Sequence, residues 1–306
     1  MARGACFYLV SSAPYFVGAI GLVNSLRLHG HDEPIFALDC GLSRVQAEAL
    51  GAEATVVPAP PGREPYTLKA VLPLERPADV MVLLDTDMIV TRRLDPLLAE
   101  AAAGRIVAFR NNSDRFVPEW AELLGLDALR RRPYVCSGLV AAARSPGEEV
   151  LGAIEEGQGR IDYDRSYFGH HDASYPLLYA DQDILNAALA GLCDDEQVVA
   201  LDARLAPMIP FEGVELIDVA TLRCAYADGT EPYLLHHSLS PKPWQHPAYE
   251  GVYARLLRRL LTGDDVAIRL PEEEIPRWLR AGALPAAERL AVKARQQLRW
   301  RLGGSP

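Results

Sequence analysis

Paired cysteines at C-x-x-C spacing occur nowhere in this chain of 306 residues. Its five thiols (Cys6, Cys40, Cys136, Cys193 and Cys224) are scattered and odd in number. That usage argues against a zinc site and suits buried thiols in a reducing cytoplasm. Positive charge is also scarce. With a net charge of −10, nothing balances a phosphate backbone, so nucleic acid is not an expected partner. Long apolar runs are missing as well. Residues 4 to 26 carry no charge, but Ser11, Ser12, Pro14 and Asn24 interrupt them. The segment therefore reads as a strand, a loop and a helix rather than a membrane span. No internal repeat or low-complexity tract is present.

What is there is a core. The hydrophobic fraction is 49%, and apolar runs alternate with helical stretches, the pattern of an α/β fold. The most informative junction is Val80-Met81-Val82-Leu83-Leu84 followed by Asp85-Thr86-Asp87. A short, β-branched-rich run without polar relief reads as a strand buried on both faces. Ligands of open α/β sheets lie beyond the carboxyl ends of such strands. In an extended chain Asp85 and Asp87 point the same way, and two close carboxylates need a cation between them. Hard oxygen ligands suit Mg²⁺ or Mn²⁺ bridging to phosphate. The same spacing recurs at Asp162/Asp164, in a polar stretch that reads as solvated loop, and at Asp181/Asp183.

Two further segments narrow the reading: Ala180-Asp181-Gln182-Asp183-Ile184-Leu185-Asn186, and His236-His237-Ser238-Leu239-Ser240-Pro241-Lys242-Pro243-Trp244. In order and spacing, from about residue 4 to residue 250, the chain resembles the retaining glycosyltransferases of family 8. Those enzymes have the GT-A fold, a Rossmann-like, mostly parallel mixed sheet flanked by helices. The resemblance implies a UDP-sugar donor and a glycan or lipid-linked acceptor. It also implies a cation held by Asp85, Asp87 and His236, and an imidazole in that set favours Mn²⁺ over Mg²⁺. Lys242 fills the family position that reaches the diphosphate, and Lys69, where relatives more often carry Arg, one that contacts the nucleotide. Ser11, Ser12 and Asp39 stand where uracil and ribose are read, and Thr86, Ser137 and Gly138 complete the donor site. Asp181 would grip hydroxyls of the donor sugar and Gln182 would lie beneath the anomeric carbon. An amide is a poor nucleophile, which favours a front-face route. Asp183 reads as a helix-start residue.

Two departures stand out. Relatives carry Asn where this chain has Cys136, and a thiol cannot replace both the donor and the acceptor of an amide. They mostly carry Phe where it has His237. A nucleotide-sugar-binding relative without turnover is therefore the alternative. A haloacid-dehalogenase-like phosphatase also sets Asp-x-Asp after a buried strand, but near its N-terminus, and leaves Lys242-Pro243-Trp244 without a purpose. A sugar-nucleotide pyrophosphorylase needs a glycine-rich loop where Ser11-Ser12-Ala13-Pro14 stands.

Along the chain, strands are expected at 6–10, 35–39, 54–57, 80–84, 106–109 and 134–142. Helices are expected at 17–28, 44–50 (capped by Ser43), 66–72 (carrying Lys69), 120–131, 183–190 and 249–261. Residues 158 to 176, rich in Tyr, His and Asp, read as a mobile loop. Residues 1–262 form the expected catalytic domain and 263–306 a small helical, basic extension. Within the extension, 286 to 302 hold five basic residues (Arg289, Lys293, Arg295, Arg299, Arg301) against Glu288. This face either packs back on the domain or meets an anionic membrane surface at the inner face.

Overall fold

The computed structural model describes residues 4–246 and 251–280. The N-terminal half is three β–α units. Ala5–Ser11 (β1) leads into helix Phe16–Leu28 (α1), Ile35–Asp39 (β2) into Arg44–Leu50 (α2), and Thr55–Pro58 (β3) into the short helix Val71–Glu75 (α3). Ser43 does cap α2: its Oγ accepts from Gln46 N at 3.2 Å, while Gln46 Oε1 accepts from Ser43 N at 3.0 Å. Val80–Leu84 (β4) follows and is buried at every position. Alternate residues of the central strands feed opposite cores. Phe7, Leu9, Val80, Val82 and Leu84 face one, and Tyr8, Met81 and Leu83 the other. That two-sided burial is why neither strand carries a charge.

Met88–Val90 (β5), Asp95–Ala102 (α4), Ile106–Arg110 (β6), Trp120–Leu124 (α5), Val135–Ala143 (β7) and Arg144–Gly157 (α6) come next. They are followed by Asp181–Leu192 (α7), Val198–Leu201 (β8), the hairpin Glu215–Asp218 (β9) and Arg223–Ala225 (β10), Leu234–His236 (β11), and Val252–Thr262 (α8). The main sheet has 7 strands in the order β3-β2-β1-β4-β7-β6-β8. Only β7 runs against the rest, pairing antiparallel with both β4 and β6. The α/β class and the mostly parallel mixed sheet are thus as expected. β5 and β11 form a separate antiparallel ribbon with His236 opposite Met88. It was not visible in the sequence, because three-residue strands carry too little periodicity.

Two expected helices are shorter. Residues 66–72 are not one helix: a 3-10 turn at Pro65–Thr67 precedes α3, and Lys69 lies between them rather than on a helix. Pro65 and Pro73 allow only short helical pieces here, and the Lys69 ammonium is drawn across the sheet to Ser137 O, 3.0 Å away. α5 stops at Leu124 because Gly125 adopts the left-handed conformation (φ 68°).

The uncharged stretch 4–26 is the strand and helix at the centre of the molecule. α1 lies between β5 and α8, and its buried Asn24 fastens the chain's later part. Asn24 Nδ2 donates to Leu260 O and Ile268 O, each at 2.9 Å, and its Oδ1 accepts from Ile268 N at 2.7 Å. Ile268, Ile275 and Leu279 join the same core as β1, each buried aliphatic side chain contributing about 1.5–3 kcal/mol. Among the described residues no helix is long and apolar enough to cross a membrane. The basic segment 286 to 302 lies outside the described residues.

Candidate active site

The carboxyl end of β4 is where the chain's charges meet. After Leu84 the backbone turns tightly, Asp85 O accepting from Met88 N at 3.2 Å and Asp85 N donating to Gly138 O at 2.9 Å. β11 returns beside β5, so His236 arrives next to the turn, and His237 N donates to Asp87 O at 2.9 Å. Ligand atoms of Asp85, Asp87 and His236 consequently lie within 4.8 Å of one another. Gly138 makes room for the ring: a Cβ there would come within 2.7 Å of His236 Cε1 and 2.3 Å of Met88 Cε. The far nitrogen of the ring, Nδ1, faces Cys136 Sγ at 3.8 Å, so this thiol backs a metal-ligand candidate directly.

Two lysines enter this corner. Lys69 Nζ lies 2.8 Å from Asp85 Oδ1 and 3.1 Å from Asp181 Oδ2. Lys242 Nζ, buried, lies 2.6 Å from Asp87 Oδ2 and donates to His237 O at 2.7 Å. The sequence holds three lysines in all, and two of them are here. Burial works against charge in Asp85, Asp87 and His236. It raises the Asp85 carboxyl, with Asp87 adding to it and Lys69 pulling down. Against burial, His236 and Lys242 hold Asp87 below the usual carboxylate range. Burial also opposes the His236 imidazolium, but Asp87 lifts it to about 10.

The corner fits a divalent cation by its own geometry. Asp87 Oδ1 is a buried carboxylate oxygen with no hydrogen-bond partner, and His236 Nε2, 3.1 Å away, makes an ion-pair contact without hydrogen-bond alignment. The charged His236 ring offsets this oxygen, and a divalent cation could take over that role. Two carboxylates and one imidazole form a hard-to-borderline ligand set for a divalent cation.

The opposite wall is the turn into α7. Asp181 and Gln182 face the corner: Gln182 Oε1 accepts from Ser137 N at 3.3 Å, and Asp181 reaches Lys69. Asp183 points the other way and is fully buried. It accepts from Arg115 Nε (2.9 Å), Tyr134 Oη (2.7 Å) and Tyr179 N (2.8 Å). Asn186 clamps the helix to β7, accepting from Val135 N and donating to Val135 O and Gln182 O, each at 2.8 Å. Ala180 sits at φ 49°, ψ −119°, a strained backbone for a residue with a Cβ. The 181–186 motif therefore divides its labour. Asp181 and Gln182 face the site while Asp183 and Asn186 fix the turn.

The third side is the β1–α1 loop. Ser11 and Asp39 are register partners at the carboxyl ends of β1 and β2, on the same sheet edge as Asp85. Ser11 Oγ is buried without a partner, and Asp39 Oδ1 accepts from Gly41 N (2.9 Å) and Leu42 N (2.7 Å). Ser12 opens the 3-10 turn Ala13–Tyr15. Thr86 is buried with its carbonyl against Gly18, where a Cβ would stand 2.4 Å away. The Trp244 indole N–H donates to Pro14 O at 2.7 Å, which ties the Lys242 loop to this one. Asp162 and Asp164 lie elsewhere: Asp162 Oδ1 accepts from Asp164 N (3.1 Å) and Arg165 N (3.4 Å), a turn cap.

The sequence matches no protein-family model and no curated protein sequence. Its structure is similar to solved glycosyltransferases. An active-site mutant of LgtC is 17% identical with a TM-score of 0.56, the match covering 88% of this chain and 98% of that one. The galactosyltransferase LgtC with donor and acceptor sugar analogues gives 16% and 0.55 at the same coverage. The glycosyltransferase GlyE of Streptococcus pneumoniae TIGR4 gives 15% and 0.51, over 78% of this chain and 56% of that one. At these identities what is shared is the GT-A fold.

Proposed function

We propose that this protein is a metal-dependent retaining glycosyltransferase of the family 8 type, moving a hexose-type sugar from a UDP-sugar to a glycan or glycolipid acceptor. The observation that carries this reading is the convergence of Asp85, Asp87 and His236 at the carboxyl end of β4, within 4.8 Å. Asp85, Asp87 and His236 would hold Mn²⁺, or Mg²⁺ as the alternative, and the cation would offset charge growing on the leaving diphosphate. Lys242 supplies a second positive charge for the diphosphate, for which it must leave Asp87. Lys69 holds Asp181 in place on the donor-sugar side. Gln182, braced by Ser137, faces the sugar beside Gly138. Ser11, Ser12 and Asp39 read the nucleoside at the edge of β1 and β2, and Thr86 contributes to the donor site from its turn. Residues 1–262 form the catalytic domain and 263–306 its extension, whose basic segment 286 to 302 either packs back on the domain or meets an anionic membrane.

Release of UDP from a panel of UDP-glucose, UDP-galactose and their N-acetyl and uronate forms, with Mn²⁺, tests the activity. An α-linked donor should give an α-linked product by NMR of the anomeric proton, and a β product removes the family assignment. The second reading, a nucleotide-sugar binder without turnover, is favoured by Cys136 behind His236. UDP binding without UDP-sugar hydrolysis would establish it.

A further inference from the structure

One surface beside the site has no part in the donor chemistry above. Exposed aromatics gather on the loop 158 to 176 and on the turn that carries Tyr66: Phe168 is 56% exposed, Tyr167 44% and Tyr66 38%. Their arrangement is ordered. Phe168 stacks on Tyr66 with ring centroids 5.1 Å apart and planes 11° from parallel. Tyr66 is backed in turn by Tyr163, 4.8 Å away. Tyr167 stands edge-on to Phe168, with planes at 84° and centroids 6.2 Å apart. Tyr66 thus lies parallel to Phe168 while 56% of Phe168 remains exposed, with Tyr167 set at a right angle beside it.

The loop is built to hold this shape. His170 N donates to Asp164 O at 2.6 Å and Gly169 N to Ser166 O at 3.0 Å. Gly169 is required, since a Cβ would meet Asp164 O at 2.3 Å. Arg165 pairs with Asp172 through two nitrogens, at 2.9 and 2.7 Å, beneath the loop. Arg63 fixes the other side, donating to Thr67 O at 2.6 Å and pairing with Glu155. The platform adjoins the catalytic turn by two routes. Tyr66 is three residues from Lys69, a span of at most about 10 Å, and Lys69 contacts Asp181. Tyr167 packs 6.1 Å from Tyr179, two residues before Asp181. Burial, with the charge of Asp181 adding to it, raises the pKa of the Tyr163 phenol.

The chemistry of the surface selects its occupant. An exposed flat ring with a polar-tipped ring at its edge matches a pyranose, which has one C–H face and a rim of hydroxyls. The area is one or two rings wide, far below the roughly 800 Å² per partner of a stable protein interface. The loop's charges largely cancel, Asp162, Asp164 and Asp172 standing beside Arg160 and Arg165, so the platform selects by shape rather than by charge. Exposed aromatics held in a fixed array are the usual mark of a binding surface. We propose that Phe168, backed by Tyr66 and walled by Tyr167, is the acceptor subsite, stacking the C–H face of a neutral pyranose next to the Asp181–Gln182 turn. This rests on the transferase reading for the word acceptor and on the platform's geometry for the sugar.

Saturation-transfer NMR with methyl β-D-galactopyranoside, whose H3, H4 and H5 share one face, reads the platform without turnover. The wild-type protein should saturate those three protons most, Phe168→Trp should keep the effect, and Phe168→Ala and Phe168→Leu should each lose most of it. In transfer assays Phe168→Ala should raise the acceptor KM about ten-fold while acceptor-independent UDP-sugar hydrolysis stays unchanged. Phe168 is exposed, so these variants should fold, which far-UV circular dichroism checks. Equal saturation in wild type and Phe168→Ala overturns the proposal. So does a change of molar mass by light scattering in Phe168→Ala without a change in sugar binding, which would make the surface a self-association patch. An absence of UDP-sugar hydrolysis in every form counts against the transferase reading and not against the platform.

Discussion

Asp85/Asp87 and Asp181/Asp183 have the same spacing and lie on facing walls of one cleft, yet they are built for opposite purposes. In the second pair the inner carboxylate, Asp183, is closed off from the cleft and satisfied by three donors. Burial pushes its carboxyl up, and those same donors pull it back. In the first pair the inner carboxylate, Asp87, keeps a buried oxygen with no hydrogen-bond partner. Asp183 is held by neutral and charged donors away from the cleft, whereas Asp87 is held by two cationic side chains, Lys242 at 2.6 Å and His236 at 3.1 Å, in the place where we propose that a metal cation sits. The same spacing thus yields two different environments, and the spacing alone does not decide which one can hold a metal. A third pair, Asp162/Asp164, caps a turn and shows how little the spacing decides alone.

The largest effect should come from breaking the first pair. Asp87→Asn is expected to lower Mn²⁺-dependent UDP-sugar turnover by at least about 100-fold, and excess EDTA should do the same to the wild type. Full activity under either condition contradicts the metal assignment. The melting temperature should fall less in this variant than in Asp183→Ala.

Breaking the second pair should damage the fold instead. Asp183→Ala leaves Arg115 Nε, Tyr134 Oη and Tyr179 N–H without their shared acceptor, at a cost of roughly 3–5 kcal/mol. Urea unfolding followed by tryptophan fluorescence would read it. A midpoint equal to wild type would mean that Asp183 is not the anchor of the turn.

Crowding the first pair without touching its charges is a gentler test. Gly138→Ala forces a methyl toward His236 and Met88, so Mn²⁺ affinity in the presence of UDP should drop several-fold, alongside a stability loss of about 1–3 kcal/mol. Unchanged affinity would show that His236 can shift freely and is not held as a ligand.

The contrast between satisfied and unsatisfied polar groups extends away from the site, where the smallest effect is expected. His31 has partners on both nitrogens, Glu33 at 3.1 Å and Leu94 N at 2.9 Å, whereas the neighbouring His29 has a buried Nε2 with none. Burial, aided by His31, lowers the pKa of His29 from 6.5 to about 4. The unfolded chain therefore binds a proton there before the folded one does. Stability from a neutral His29 is complete above pH 6.5 and is lost as the pH falls toward 4. His29→Gln should flatten the acid limb of the melting-temperature profile over that window. Identical slopes would mean that the ring is solvated.

Much of this was legible in the sequence, and the parts that were not share a cause. The central strands were readable because burial on both faces removes every polar residue from 80 to 84. α2 was readable from Ser43 and Gln46, a local capping pair. Asp85 and Asp87 stood out because they follow a buried strand, whereas Asp181 and Gln182 stood out only through the resemblance of their motif. The β5–β11 ribbon was not readable, since its pairing joins residues more than 140 positions apart through strands of three. Lys69 was expected on a helix. Its position is set instead by carboxylates from β4 and α7, a long-range pull that local propensity cannot express. The scarcity of lysine, three in a chain with 31 basic residues, was an available signal for Lys69 and Lys242. The Phe168–Tyr66 stack joins two loops, and composition alone gave only a Tyr-rich segment.

The central claim, that Asp85, Asp87 and His236 hold a divalent cation shared with a nucleoside diphosphate, is tested most directly by electron paramagnetic resonance of Mn²⁺. Titrating wild-type protein into Mn²⁺ with UDP should remove the free-ion signal to one equivalent per chain, and Asp87→Asn and His236→Ala should each leave most of it. Equal binding by wild type and both variants, or none by the wild type, would contradict the account.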